Sequence, residues 1–166
     1  FAAEHVNAIL QVWYPGARGG KAAADILFGS CSPSGKLPVT FYKDLKGFPA
    51  FEDYSMKGRT YRYLDREPLY PFGYGLTYGK VSVKEAAVVG EIKEGEAFEV
   101  SAVLENNGDY DTDEVLQAYI KDLESKYAVP NHSLCAFKRV ALKKGETVQV
   151  TMQVPYEALM IVDEEG

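Results

Sequence analysis

The chain has 166 residues, of which 46% are hydrophobic and 25% are charged. This composition is that of a globular protein, and the length allows one ordinary domain or two small ones. The 24 Asp and Glu residues outnumber the 18 Lys and Arg residues, and the net charge of -6 opposes attraction to phosphate backbones and anionic lipids. No apolar run approaches the roughly 20 residues that span a bilayer. We therefore expect neither nucleic acid nor a membrane surface as a partner.

The first thirty residues predict a strand, a glycine turn and a helix. Residues 6–13 form an apolar run that is typical of a buried strand in a parallel sheet. In residues 18–28 alanine, isoleucine and leucine recur at helical spacing, and Gly29 supplies a C-terminal stop. This is half of a βαβ unit, which leaves its strand edges and its helix face unpaired. We therefore expect further sequence upstream of Phe1.

Residues 30–78 combine prolines, glycines and a dense set of aromatic rings without a steady period. We interpret this segment as a long ordered loop, and a loop of such length is commonly functional or held across a domain boundary. The rings are the expected clamp. They are Phe41, Tyr42, Phe48, Phe51, Tyr54, Tyr61, Tyr63, Tyr70, Phe72, Tyr74 and Tyr78.

Alternating strands follow Gly79. The predicted strands are residues 81–89, 97–105, 114–121, 134–142 and 147–154. Turn residues separate several of them, and this spacing indicates an antiparallel β-sandwich of the immunoglobulin or fibronectin type III class. The predicted fold is therefore mixed, with a partial α/β segment and its loop in residues 1–79 and a β-sandwich in residues 80–166. We expect one or two further strands downstream to complete the sandwich.

Two motifs resemble ligand sites but depart from them. The glycines of residues 16–21 lie where a phosphate-binding loop would lie, yet their spacing is wrong and Ala22 replaces the metal-binding Ser or Thr. We interpret them as glycines that allow close packing of helix and strand. A second motif resembles the start of a calcium loop, with Asp109, Asp111 and Asp113. Glu114 stands there in place of the required glycine, which favours a hairpin turn.

No metal site or cofactor is expected elsewhere. His5 and His132 are far apart in sequence and have no cysteine or carboxylate partners at metal spacing. Cys31 and Cys135 lie in different predicted domains, so two free and mostly buried thiols are favoured over a disulfide. Unpaired thiols in turn favour a reducing compartment such as the cytoplasm.

The order of several motifs identifies a family. The first half carries AILQVWYPG at 8–16, GGKA at 19–22, ADILFG at 24–29, PSGKLPVT at 33–40, YRY at 61–63 and LYPFGYGLTY at 69–78. Together they closely resemble glycoside hydrolase family 3, the family of many β-glucosidases and β-xylosidases. The second half, with NNG at 106–108, EVLQAY at 114–119 and LCAFKRV at 134–140, resembles the fibronectin type III-like domain of the same enzymes. Small departures occur at Ser32, where asparagine is usual, and at Ala136, where glycine is frequent.

The resemblance implies a retaining, exo-acting β-glycosidase whose nucleophilic aspartate lies in an N-terminal barrel and whose acid/base glutamate, where present, lies earlier in the sandwich domain. Neither position matches this chain. Glu52 and Asp53 are adjacent, whereas glycoside hydrolysis needs two carboxyl groups facing each other across the sugar, about 5 to 9.5 Å apart. We therefore predict no catalytic residue here and no hydrolysis by this chain alone.

A substrate-binding role is expected for part of the long loop, because loops of this region can approach the pocket entrance in related enzymes. The candidates are Asp53, Tyr54, Met56, Arg59 and Tyr61. Aromatic rings stack on sugars and Asp or Arg can bond hydroxyl groups. The sequence favours the competing interpretation, that these rings pack the domains together, and residues 70–78 are interpreted as structural.

Partners follow from the resemblance. They are β-linked glucoside or xyloside oligosaccharides, met through the full-length enzyme, and the enzyme's barrel and sandwich domains. Residues 56–61 resemble members that act on xylosides as well as glucosides, so the preferred sugar stays open. Two other functions also stay open, a carbohydrate-binding module and a plain interaction domain. A planar row of exposed rings on the β-sandwich would favour the binding module, whereas rings gathered at residues 61–78 favour a domain junction.

Overall fold

The computed structural model describes residues 1–165, which divide after Ser32 into two units. The first unit contains α1 (Ala2–His5) and α2 (Gly19–Leu27). Helix α2 ends as its sequence predicts, because Gly29 adopts a left-handed φ of 76° and its N–H donates to the carbonyl of Ile26. A Cβ on Gly19 would overlap the ring of Pro15, so the close approach at the start of α2 requires glycine.

The predicted strand over residues 6–13 is not formed. Val6 has extended backbone angles, but Val6 and Ile9 are half exposed instead of buried. The physical reason is that a parallel strand needs hydrogen-bonded neighbours, and the described residues of the first unit contain no other strand. Apolar sequence alone therefore does not make a strand here.

The second unit contains five strands arranged in two antiparallel sheets. They are β1 (Val81–Val89), β2 (Phe98–Asn106), β3 (Thr112–Ile120), β4 (Ser133–Leu142) and β5 (Thr147–Val154), followed by a short 3₁₀ helix (Tyr156–Leu159). One sheet has the order β1-β2-β5, and the other pairs β3 with β4. Each predicted strand is confirmed to within two residues of its ends. The mixed fold class, with a β-sandwich of fibronectin type, is confirmed as well.

The core lies between the two sheets and follows the period-two pattern of the strands. In the β2–β5 ladder Ala102 pairs with Val150 and Leu104 pairs with Val148, so these apolar side chains share one face. That face packs against residues of the second sheet. The buried cluster is Ala102, Leu104, Leu116, Leu142, Val150 and Met152.

Residues 33–79 belong to the second unit and run as ordered, mostly irregular chain beside β3. Their regular elements are one short helix, α3 (Thr60–Tyr63), and a single antiparallel bridge between Phe41 and Tyr70. Polar contacts join the segment to β3: Lys36 forms a 2.6 Å ion pair with Glu114, and the Gln117 side chain donates to a backbone carbonyl at Gly73. The predicted long ordered loop is confirmed.

Candidate functional site

The feature of residues 33–79 with the most exposed aromatic surface is the aromatic loop, residues 51–58. The side chains of Phe51 and Tyr54 are 85% and 84% exposed, and Met56 is 39% exposed. Met56 has a positive φ of 62° and Gly58 one of 72°, so the chain reverses sharply at the end of the loop. Two rings and one thioether are thereby presented to solvent on one short turn.

Arg59 holds the aromatic loop together from inside. Its Nη2 donates to the carbonyl of Ala50 at 2.6 Å and to that of Asp53 at 3.2 Å, and it lies 3.4 Å from the carbonyl of Pro49. The guanidinium carbon also lies 5.0 Å above the ring of Phe48, within the range of a cation–π interaction. Arg59 is therefore occupied by the loop backbone, and its role in the structure is to shape the loop.

Asp53 is one of two carboxylates in the loop, next to Glu52. Its Oδ1 accepts a hydrogen bond of 2.8 Å from the backbone N–H of Ser55. The hydrogen bonds from Ser55, with a smaller contribution from the charge of Arg59, lower the pKa of the Asp53 carboxyl. Asp53 is thus ionised at neutral pH, when it can accept hydrogen bonds from hydroxyl groups but cannot act as a proton donor.

Tyr61 lies apart from the exposed face of the loop. Its ring stacks on Phe72 with centroids 4.2 Å apart, and it makes an edge contact with Tyr119 of β3 at 6.2 Å. Its hydroxyl accepts a hydrogen bond of 3.0 Å from the backbone N–H of Leu134. The ring contact also affects Tyr119. Burial raises the pKa of the Tyr119 hydroxyl, and the neighbouring Tyr61 raises it by a smaller amount. Tyr61 therefore joins helix α3 to the β-sandwich.

The five predicted substrate-binding residues thus fall into two groups. Asp53, Tyr54 and Met56 lie on the exposed aromatic loop, with Phe51 beside them. The side chains of Arg59 and Tyr61 instead contact other residues of this chain. Solvent-exposed rings together with carboxylates can contact a sugar face and its hydroxyl groups.

One residue of this region was not indicated by the sequence. Asn131, in the connection between β3 and β4, donates from its side chain to the carbonyls of Tyr61 and Leu64 at 2.9 and 2.8 Å. The contact spans about 70 positions of sequence, and an asparagine in a turn carries no signal of such a partner.

The aspartates that resembled a calcium loop are each paired with a basic residue. Lys144 contacts Asp109 through Nζ at 2.7 Å and Asp111 through its backbone N–H at 2.8 Å. Arg139 Nε donates to Asp113 at 2.7 Å. Across residues 1–165, no three His, Cys, Asp or Glu side chains are grouped so that they could hold a metal ion.

The cysteines differ from each other in exposure. Cys31 is exposed, so its predicted burial is wrong, because it follows the end of helix α2 where nothing in its unit covers it. Cys135 is partly buried, and burial raises the pKa of its thiol. Among the described residues, no helix has both the length and the apolar character needed to cross a bilayer.

Two family models match the chain. Residues 1–78 match the Glycosyl hydrolase family 3 C-terminal domain, and residues 114–166 match the Fibronectin type III-like domain. Similar proteins include a Xylan 1,4-beta-xylosidase of Xylanibacter ruminicola, 44% identical over 98% of this chain and 18% of that protein. A Periplasmic beta-glucosidase of Salmonella typhimurium is 33% identical over 94% of this chain and 22% of that protein. The chain thus spans about a fifth of the length of these relatives.

Solved structures of β-glucosidases are also similar to this chain. A b-glucosidase from Erythrobacter marinus superposes with a TM-score of 0.82 and 36% identity, over 98% of this chain and 22% of that one. The beta-glucosidase 3B from Thermotoga neapolitana, solved in complex with glucose, superposes with a TM-score of 0.79 and 34% identity, over 92% and 23%.

Proposed function

Because this chain belongs to glycoside hydrolase family 3, we propose that it is the noncatalytic C-terminal portion of an exo-acting, retaining β-glycosidase. The substrates would carry terminal β-D-glucosyl or β-D-xylosyl residues. Relatives named beta-xylosidase and beta-glucosidase support both sugars, and neither is favoured by the residues described above. The chain would brace the enzyme's domains and line the entrance of its active site.

The noncatalytic assignment is supported by the carboxylates of the aromatic loop. Hydrolysis with retention needs one carboxyl group as an acid and a second as a nucleophile on the other side of the sugar. Glu52 and Asp53 are adjacent, and Ser55 keeps Asp53 ionised. Asp53 therefore lacks the raised pKa that a general acid needs at neutral pH.

The entrance-lining role is carried by one observation, the exposure of Phe51 and Tyr54 on a loop whose backbone is fixed from inside by Arg59. Large apolar rings in water cost free energy unless a partner covers them. A loop held in one conformation loses little entropy when it binds, which suits it for contact with a sugar. Asp53 and Met56 would add a hydroxyl acceptor and an apolar contact.

Bracing would be the role of the remaining aromatic residues. Tyr61 and Phe72 stack on each other and contact Tyr119, which supports a junction between the family 3 segment and the sandwich. We propose that the domain boundary lies at residues 79/80, with residues 33–79 folding onto the sandwich that follows.

The test is kinetic and uses the full-length enzyme. Phe51→Ala and Tyr54→Ala remove the exposed rings, and we expect each to raise KM for nitrophenyl β-glucoside or β-xyloside by about 3- to 10-fold, because truncating a ring removes binding surface. Phe137→Ala on β4, where the ring is also exposed, is the matched control and should leave KM unchanged. An unchanged KM in both loop variants would contradict the entrance-lining role.

A second measurement addresses the chain by itself. The isolated chain should show no turnover of either nitrophenyl glycoside, and turnover would overturn the noncatalytic assignment. Binding of the isolated chain to insoluble glucan or xylan would favour a carbohydrate-binding module instead. The exposed rings of the sandwich are distributed over a turn, a loop and two strands, which gives that alternative less support; they are Tyr110, Tyr119, Tyr127 and Phe137.

A further inference from the structure

Helix α3 is attached to the β-sandwich through Asn131. Both N–H groups of one amide are used: Nδ2 donates to the carbonyl of Tyr61 at 2.9 Å and to that of Leu64 at 2.8 Å. The backbone N–H of Asn131 donates to the carbonyl of Arg62 at 3.1 Å. Three of the four carbonyl groups from Tyr61 to Leu64, at the C-terminal end of α3, are therefore satisfied by a single residue of the β3–β4 connection.

Helix α3 depends on such partners. It has four residues, and a helix of that length is not stable without tertiary contacts. Its carbonyl groups at the C-terminal end have no partners within the helix, so they need donors from elsewhere. The ring contact of Tyr61 with Tyr119 and the hydrogen bond from the N–H of Leu134 to the Tyr61 hydroxyl are made by a side chain, so they leave the carbonyl groups to Asn131.

The position of α3 is transmitted to the aromatic loop through short backbone contacts. Gly58 donates to the carbonyl of Tyr63 at 3.2 Å, and the N–H of Arg59 donates to the carbonyl of Met56 at 3.0 Å. Arg59, directly before α3, sends its guanidinium back to the carbonyls of Ala50 and Asp53. A shift of α3 would therefore move the group that shapes the loop.

We propose that Asn131 is a positioning residue for the aromatic loop, so that the β-sandwich controls substrate binding through the chain of contacts Asn131–α3–Arg59. This inference rests on the proposed role of the loop at the active-site entrance. Asparagine suits the position because its planar amide supplies two donors, whereas an aspartate at pH 7 would face the same carbonyl oxygens without a donor.

The first arm of the test measures the coupling without any substrate. In the full-length enzyme, Asn131→Ala and Asn131→Asp should increase the amide exchange rates of Gly58, Arg59 and Leu64 by about tenfold or more, because local opening becomes easier. Asn107→Ala is the matched control. Its side chain is exposed and donates to Glu105, and it lies in the turn before β3, at the opposite end of that strand from Asn131. It should leave those three rates unchanged.

The second arm is the split between KM and kcat. Both Asn131 variants should raise KM about 3- to 10-fold and change kcat by less than about twofold, since they remove binding that is equal in the ground and transition states. Val150→Ala destabilises the core without touching the loop, so it reports what lost stability alone does to KM. A rise in KM for Val150→Ala as large as that for Asn131→Ala would overturn the proposal.

The two arms separate the possible failures. Faster exchange together with a higher KM supports the positioning role. Unchanged exchange in the Asn131 variants, with Tyr54→Ala still raising KM, overturns the positioning role and leaves the proposed function standing. A third result is faster exchange in the Asn131 variants while KM is unchanged both in these variants and in Tyr54→Ala. That result overturns the entrance-lining role, and the positioning role with it.

Discussion

Asn106 is fully buried at the end of β2, and both polar atoms of its side chain are hydrogen-bonded. Oδ1 accepts from the backbone N–H groups of Lys80 and Gly108 at 3.1 and 3.0 Å. Nδ2 donates to the carbonyls of Tyr110 and Lys143 at 2.8 and 3.2 Å. One side chain thus bonds to four backbone groups, which lie before β1, in the β2–β3 turn and after β4. An apolar side chain could not make these hydrogen bonds.

We expect Asn106→Ala to lower the free energy of unfolding by about 2 to 4 kcal/mol, because four backbone groups lose a partner in a place that water reaches poorly. Urea unfolding followed by circular dichroism measures the change. Asn107→Ala, at the exposed neighbouring position, should change it by less than about 0.5 kcal/mol. Equal effects of the two substitutions would show that the buried network does not stabilise the turn.

At the scale of elements, the turn at residues 71–74 is matched to β3. Gly73 has a φ of 79°, and a Cβ there would overlap the ends of the Gln117 and Tyr119 side chains. Gln117 Nε2 donates to the Gly73 carbonyl at 3.1 Å, and the Tyr119 hydroxyl donates to Gln117 Oε1. Glycine is therefore required at position 73 for two reasons. The backbone is left-handed there, and side chains of β3 occupy the space that a Cβ would need.

Gly73→Ala should cost about 1 kcal/mol for the left-handed backbone and about 1 to 2 kcal/mol more for displacing the Gln117 and Tyr119 side chains. Gly90→Ala separates these two costs, since Gly90 has nearly the same φ, 75°, and open space around its Cβ position. Thermal unfolding of both variants measures the difference. If Gly90→Ala is as destabilising as Gly73→Ala, the fit against β3 has no energetic weight.

The elements that sequence predicts well are those whose own residues carry the burial pattern. In β5 residues 148, 150, 152 and 154 alternate with polar ones, and the same alternation appears in their burial. Residues 6–13 have an equally apolar pattern, but a parallel strand depends on neighbours that a local pattern does not contain. The candidate site divides in the same way. The sequence indicates an aromatic ring at Tyr54 on a loop, and that ring is exposed in the structure. The hydrogen bonds of Arg59 to the loop backbone and of Asn131 to Tyr61 could not be predicted, because they join residues that meet only after folding.

At the scale of the whole molecule, residues 33–79 and the β-sandwich share one compact unit, although the match to the Glycosyl hydrolase family 3 C-terminal domain ends at residue 78. Three kinds of contact cross that position. They are the ion pair of Lys36 with Glu114, both largely buried, the hydrogen bonds of Asn131 to α3, and the ring contacts of Tyr61 and Phe72 with Tyr119. Removing one side would leave a buried charge, unpaired donors and exposed rings on the other.

We therefore expect a polypeptide of residues 33–166 to unfold in one cooperative transition, and one of residues 80–166 to melt roughly 10 °C lower or not to fold, because it keeps the sandwich strands but loses these partners. Calorimetry on both polypeptides measures the difference. Tyr61→Ala in the longer polypeptide is the control, since it removes only the contacts of the Tyr61 ring and the hydrogen bond from Leu134 to its hydroxyl, and should give an intermediate melting temperature. Two separate transitions in residues 33–166, or equal melting temperatures for the two polypeptides, would mean that residues 33–79 fold independently of the sandwich and only lie against it.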